Sequence, residues 1–73
     1  MKPVTNGLSD IQLQILEKIR ERPGQLTQIE LAELLGKSQQ VVSYHVQQLK
    51  RAGMIRSERV GGVYYYTIIK DVK

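Results

Sequence analysis

The feature that most constrains this chain is a very short connection between two segments with helical apolar spacing. Only Gly36 and Lys37 separate the first segment, which ends at Leu35, from Ser38, a residue able to cap the next helix. Glycine readily adopts the left-handed conformation that ends a helix. Two helices joined so closely must share one core, as in a helix-turn-helix unit.

Two earlier helix starts carry the same capping pattern. Ser9 with Gln12, and Thr27 with Glu30, each place a hydroxyl three residues before a side chain that can bond back to the cap. Apolar residues then recur at helical spacing, and Pro23 with Gly24 ends the first segment. We therefore expect one helix after Ser9 and a second, roughly eight residues long, after Thr27.

The third segment, from about residue 39 to 52, has an apolar side and a polar side. Advancing about 100° per residue places Val42, Val46 and Leu49 together. The opposite side collects long polar side chains: Gln40, Tyr44, Gln47 and Arg51. No Asp or Glu occurs between Lys37 and Gly53, which is typical of a helix that approaches phosphates.

The apolar period then changes from helical to alternating. Residues 54–60 and 63–68 are rich in β-formers and flank Gly61 and Gly62, which predicts a hairpin. An extended piece at Gln25 and Leu26 would add a third strand. Alternation places Tyr64 and Tyr66 on one face, expected to pack toward the helices, and Tyr65 on the other.

Charge and composition restrict the classes of function that we expect of this chain. The net charge is +4, and residues 37–73 hold seven of the eleven basic residues but two of the seven acidic ones, which favours a polyanionic partner. With no cysteine, the chain has neither disulfides nor thiolate metal ligands, and no apolar run could span a bilayer. We expect a cytoplasmic protein without cofactor or metal. No catalytic constellation is present, which predicts that the protein is not an enzyme.

These patterns predict an α+β, mainly α, winged helix-turn-helix, with three helices followed by a β-hairpin wing. The third helix would enter the major groove of double-stranded DNA, and the wing would contact the backbone or minor groove. We expect the base contacts to come from Gln39, Gln40, Ser43, Tyr44 and Gln47. The remaining candidates are expected to contact phosphates. These are Lys37, Ser38, Lys50 and Arg51 around the helix and Arg56, Arg59, Gly61 and Gly62 in the wing.

Residues 35–55 and 61–68 resemble the recognition segment and the wing of ArsR-type winged-helix repressors, and MarR-type regulators share this architecture. The resemblance implies DNA binding as a two-fold dimer on a palindromic site, with repression as the outcome. Many ArsR-type proteins sense metals through cysteines, and this chain has none. Metal sensing is therefore not expected. These proteins also dimerise through an extra terminal helix, which the residues after the wing do not predict. The first helix and the N-terminal arm would form any dimer interface.

The expected organisation is a flexible arm over residues 1–8, the DNA-binding domain over 9–69 and a tail over 70–73. Two alternatives stay open. An apolar patch of Val41, Val63 and Tyr65 would suit a protein-interaction module within a larger assembly. Tyrosines 64–66 would suit single-stranded nucleic acid. His45, the only histidine, is expected to have a half-buried packing or hydrogen-bonding role rather than a ligand role.

Overall fold

The computed structural model describes residues 8–69, and within that range three helices precede a hairpin. In chain order the elements are α1 (Asp10–Glu21), α2 (Gln28–Leu35), α3 (Gln39–Arg51), β1 (Ile55–Val60) and β2 (Val63–Ile68). The predicted winged helix-turn-helix is confirmed. Of the predicted arm, only Leu8 is described, and it packs against the core. Residues 1–7 and the predicted tail over 70–73 lie outside the described range.

Side chains cap all three helices at the predicted residues. The Ser9 hydroxyl accepts from the Gln12 N–H at 3.2 Å, and the Ser9 N–H donates to Gln12 Oε1 at 3.1 Å. Thr27 and Glu30 exchange the equivalent bonds at 3.2 and 2.9 Å. Ser38 accepts from the N–H of Val41 at 3.2 Å. Each cap satisfies a helix amide that would otherwise lack a partner, so the helices start where the sequence predicts.

The tight turn between α2 and α3 depends on a glycine. Gly36 has φ 66°, and the N–H of Lys37 donates to the Ala32 carbonyl at 3.0 Å. A second bond, from the Gly36 N–H to the Glu33 carbonyl, completes a Schellman motif that ends α2. The end of α3 has the same pair of bonds around Gly53. Ala52 is the C-cap, and α3 ends at Arg51, one residue before the predicted end.

One apolar core joins all five elements. Ile15, Leu16 and Ile19 of α1 meet buried residues of α2, α3 and the hairpin. The other buried members are Leu26, Leu31, Ala32, Val42, Val46, Leu49, Ile55 and Tyr66. In the described part of the chain, no helix is both long and apolar enough to cross a membrane.

The sheet within residues 8–69 has two antiparallel strands, and the predicted third strand is wrong. Val60 pairs with Val63 across a two-residue turn in which Gly61 and Gly62 both have positive φ, as a type I′ turn requires. The segment before α2 contributes one backbone bond, from the Gly24 N–H to the Tyr66 carbonyl. Gly24 still belongs to the turn after α1, and Thr27 already caps α2, which leaves too few residues for a ladder.

Two leucines of α2 provide a matched test of this core. Leu31 is 0% exposed and Leu34 is 47% exposed. We expect Leu31→Ala to lower the free energy of unfolding by about 2–5 kcal/mol, because it leaves a cavity. Leu34→Ala should cost less than about 1 kcal/mol, because the side chain is half in water already. Urea denaturation measures both, and equal losses would contradict the described rotation of α2.

Candidate nucleic-acid interface

The rotation of α3 exposes the polar side that the sequence predicts. Val42, Val46 and Leu49 are at most 2% exposed and lie in the core. Four side chains on the opposite side, called here the outer face of α3, are exposed: Gln40, Tyr44, Gln47 and Arg51. Tyr44 is 61% exposed although it is aromatic. The outer face is therefore open to a partner.

Further predicted contact residues border this face. Lys37, Ser38 and Gln39 are exposed at its N-terminal end, and Lys50 is exposed at its C-terminal end. Ser43 is half-buried. The Gln28 side chain donates to the Gln39 carbonyl at 3.3 Å and so links the starts of α2 and α3. All nine predicted residues of the helix and its preceding turn thus lie along one continuous stretch, from residue 37 to 51.

The charge of α3 differs from that of the two preceding helices. Its first turn has no acidic residue, and its last turn holds Lys50 and Arg51. Cations at a helix C-terminus interact favourably with the helix dipole, so these two residues suit the fold as well as an anionic partner. The acidic residues of the described helices lie in α1 and α2.

The wing places its two arginines on opposite faces. Arg56 pairs across the sheet with Thr67, and Arg59 pairs with Tyr64. Since faces alternate along a strand, Arg59 shares the face of Ile55, which is buried, while Arg56 lies on the outward face. The sequence analysis assigned both arginines to phosphate contacts, although alternation along the strand already separates their faces.

Each wing arginine already has a neighbour. Arg56 Nη2 lies 3.3 Å from Glu58 Oε2, with both side chains more than half exposed. The guanidinium carbon of Arg59 lies 5.9 Å from the ring centroid of Tyr64, within cation–π range. Exposed ion pairs contribute about 0–1 kcal/mol, so a phosphate can replace Glu58 at small cost. Gly61 and Gly62 are exposed at the tip of the hairpin.

Tyr64 and Tyr66 of β2 share one face of the strand but differ in burial. Tyr66 is 5% exposed and packs in the core, whereas Tyr64 is 52% exposed, so the prediction that both pack on the helices is wrong for Tyr64. The face of β2 that carries both tyrosines continues past the helices toward the hairpin turn, and Tyr64 lies in that uncovered part. Burial raises the pKa of the Tyr66 phenol above its ordinary value, which keeps the hydroxyl protonated. Tyr65 is half-buried, so β2 lacks a row of open rings for stacking on single strands.

Sequence reasoning missed two features of this surface. His45 is half-buried, as predicted, but its partner is Gln12 of α1, with Gln12 Nε2 3.2 Å from His45 Nδ1. A cleft of about 260 Å³ lies between the start of α2 and the wing, lined by Thr27, Gln28, Ile29, Gly62, Val63, Tyr64 and Tyr66. The signal available in the sequence was the position of Ile29, which lies off the helical stripe of Leu31, Ala32 and Leu35 and is 53% exposed.

Known proteins are similar to this chain in sequence and in fold. An uncharacterized protein of Pyrococcus horikoshii is 32% identical over 73 residues, all of this chain and 22% of that protein. An uncharacterized HTH-type transcriptional regulator of Methanocaldococcus jannaschii is 31% identical over 70 residues, 96% of this chain and 17% of that protein. This chain therefore spans about a fifth of the length of these relatives.

A solved structure and a family model agree with the sequence relatives. The crystal structure of the AntR antimony-specific transcriptional repressor has a TM-score of 0.71 and 31% identity, covering 85% of this chain and 55% of that one. The MarR family model matches residues 6–63. Fold and family are those of DNA-binding transcription regulators. The chain belongs to the MarR family.

Proposed function

We propose that this chain binds double-stranded DNA sequence-specifically and regulates transcription, with α3 in the major groove. The observation that carries the proposal is the outer face of α3, which is exposed, polar and free of acid while Val42, Val46 and Leu49 hold the opposite side in the core. A helix in the major groove needs both properties, because one side must be anchored and the other must reach base edges.

The proposed base contacts follow the position of each side chain along α3. Gln39 and Gln40 lie in the first turn, where a recognition helix enters the groove, and glutamine can pair with adenine N6 and N7. Ser43 and Tyr44 come one turn later, where Tyr44 can contact a thymine methyl or a phosphate. Gln47 follows on the same exposed side.

The proposed backbone contacts flank these residues. Lys37 and the amides that follow Ser38 would hold one phosphate, and Lys50 and Arg51 another. In the wing, Arg59 and Arg56 would contact a phosphate or the minor groove, and glycines at the tip allow close approach. No catalytic step and no cofactor are part of this proposal.

We further propose repression and an ArsR-type assignment, supported by the resemblance of residues 35–55 and 61–68 and by the likeness to AntR. Antimony specificity belongs to that relative, and this chain has no cysteine to supply thiolates. A homodimer through α1 and the N-terminal arm is also proposed. The exposed residues of α1 are polar (Asp10, Gln14, Glu17, Arg20 and Glu21), so apolar area for that contact must come from elsewhere.

A protein-interaction module is the second candidate, favoured by the cleft between α2 and the wing. Ile29, Val63 and Tyr64 are each more than 40% exposed around it. Titration with random duplex DNA at low salt separates the two candidates. Binding that weakens steeply as salt rises supports DNA recognition. The absence of any binding supports the protein-interaction module.

Base reading and backbone contact make different predictions for two substitutions. Gln40→Ala should cost about 1–3 kcal/mol on the preferred sequence and relax preference at one position. Arg59→Ala should weaken the binding of all duplexes alike. It should also reduce the slope of log affinity against log salt concentration by about one. Selection of bound sequences from a random duplex pool, followed by salt titration, measures both effects. Equal loss on every sequence from Gln40→Ala would count against base reading.

We expect Glu58 to lower the affinity of the wing for duplex DNA. It is the one acidic residue between positions 37 and 70, and it pairs with Arg56. Glu58→Gln should raise low-salt affinity for any duplex about two- to fivefold, because it frees Arg56 and removes a charge that repels phosphate. Glu17→Gln on α1 is the matched control for net charge. Fluorescence anisotropy that shows the same gain for both variants would exclude a local effect of the wing.

A further inference from the structure

A chain of contacts connects the start of α1 to the outer face of α3. Gln12 of α1 contacts His45 of α3, 33 positions away in sequence, and the His45 ring lies against the Tyr44 ring. Gln12 and His45 are half-buried, whereas Tyr44 is open to solvent. A residue of the capping box is therefore two contacts away from a side chain proposed to read DNA.

The hydrogen bonds fix the orientation of the Gln12 amide. The Ser9 backbone N–H is a donor only, so the atom of Gln12 that meets it at 3.1 Å must be the carbonyl oxygen. The amide nitrogen of Gln12 then faces His45 Nδ1 at 3.2 Å. This nitrogen is itself a donor only, so Nδ1 must accept. His45 is thus neutral in this arrangement, with its proton on Nε2.

The fixed imidazole supports the neighbouring aromatic ring. The Tyr44 and His45 centroids are 5.1 Å apart and the ring planes meet at 79°, an edge-to-face contact. Such contacts favour one relative orientation of two rings. An exposed tyrosine without a fixed neighbour would sample several rotamers in water, and selecting one of them on binding would cost entropy.

We propose that His45 is a positioning residue: Gln12 of α1 fixes its ring, and the ring holds Tyr44 in the orientation with which α3 reads DNA. This inference rests on the proposed function and deepens it, because it makes α1 a determinant of sequence preference. Neither Gln12 nor His45 need contact the nucleic acid. Their effect passes through Tyr44 alone.

One substitution removes the contact between Gln12 and His45, and a second restores it. Gln12→Met has no donor for His45 Nδ1 and leaves the ring free to turn. Gln12→Glu is the conservative variant: its carboxylate accepts from the Ser9 N–H, as capping boxes with glutamate do, and bonds the ring again once a proton is on Nδ1. Gln14→Met is the matched control, because Gln14 is exposed on the same helix. Thermal unfolding by circular dichroism confirms that each variant is folded.

The measured quantity is the ratio of affinities for the selected duplex and for the same duplex changed at one base pair, called here discrimination. That base pair is the one whose preference is lost in Tyr44→Ala during selection from a random duplex pool. We expect Gln12→Met to lower discrimination about two- to tenfold, the range that an edge-to-face ring contact supplies, and Gln12→Glu and Gln14→Met to leave it unchanged. In a Tyr44→Ala background, Gln12→Met should have no further effect.

A second measurement does not depend on DNA or on the fold of any variant. Nitrogen-15 NMR of the wild-type imidazole should show the Nε2–H tautomer, and an Nδ1–H tautomer overturns the proposal. Unchanged discrimination in folded Gln12→Met also overturns it, as does an effect that persists in Tyr44→Ala, or a Tyr44→Ala variant that loses no preference. If wild-type protein binds no duplex, the proposed function fails together with this inference. Wild-type binding with normal discrimination in Gln12→Met rejects the positioning role alone.

Discussion

Burial of Val42, Val46 and Leu49 fixes the rotation of α3 about its axis, and the arrangement of the surface follows from it. These three side chains pack against residues of α1, α2 and the hairpin in a core without buried polar side chains among the described residues. A turn of α3 by 100° in one direction would place Ser43 in that core, at the cost of burying a hydroxyl without a hydrogen-bond partner. The apolar side therefore decides which polar side chains reach a partner.

Much of the fold could be predicted because its signals are local. Capping boxes, glycines with positive φ and apolar spacing each act within four residues, so the sequence indicates where every helix starts and the order of the elements. The same reasoning located the outer face of α3, because helical geometry alone relates Val42 to Tyr44.

The rest depends on distances between elements, which a single sequence does not contain. Alternation assigns Tyr64 to the face of Tyr66, but the length of strand that the helices cover leaves Tyr64 in water. Leu26 is buried without joining a strand, because the turn before it and the cap after it leave no room for a ladder. The Gln12–His45 bond joins positions 33 apart and has no periodic signal at all.

The central claim is that the surface from residue 37 to 51, together with the wing, contacts duplex DNA. Titration of nitrogen-15-labelled protein with a selected duplex, followed by backbone amide NMR, tests it most directly. The account predicts the largest shifts at the start of α3, along its outer face and at residues 56–62, with α1 changing least beyond its first turn. Shifts confined to the cleft between Ile29 and Val63, with the outer face of α3 unchanged, would contradict it.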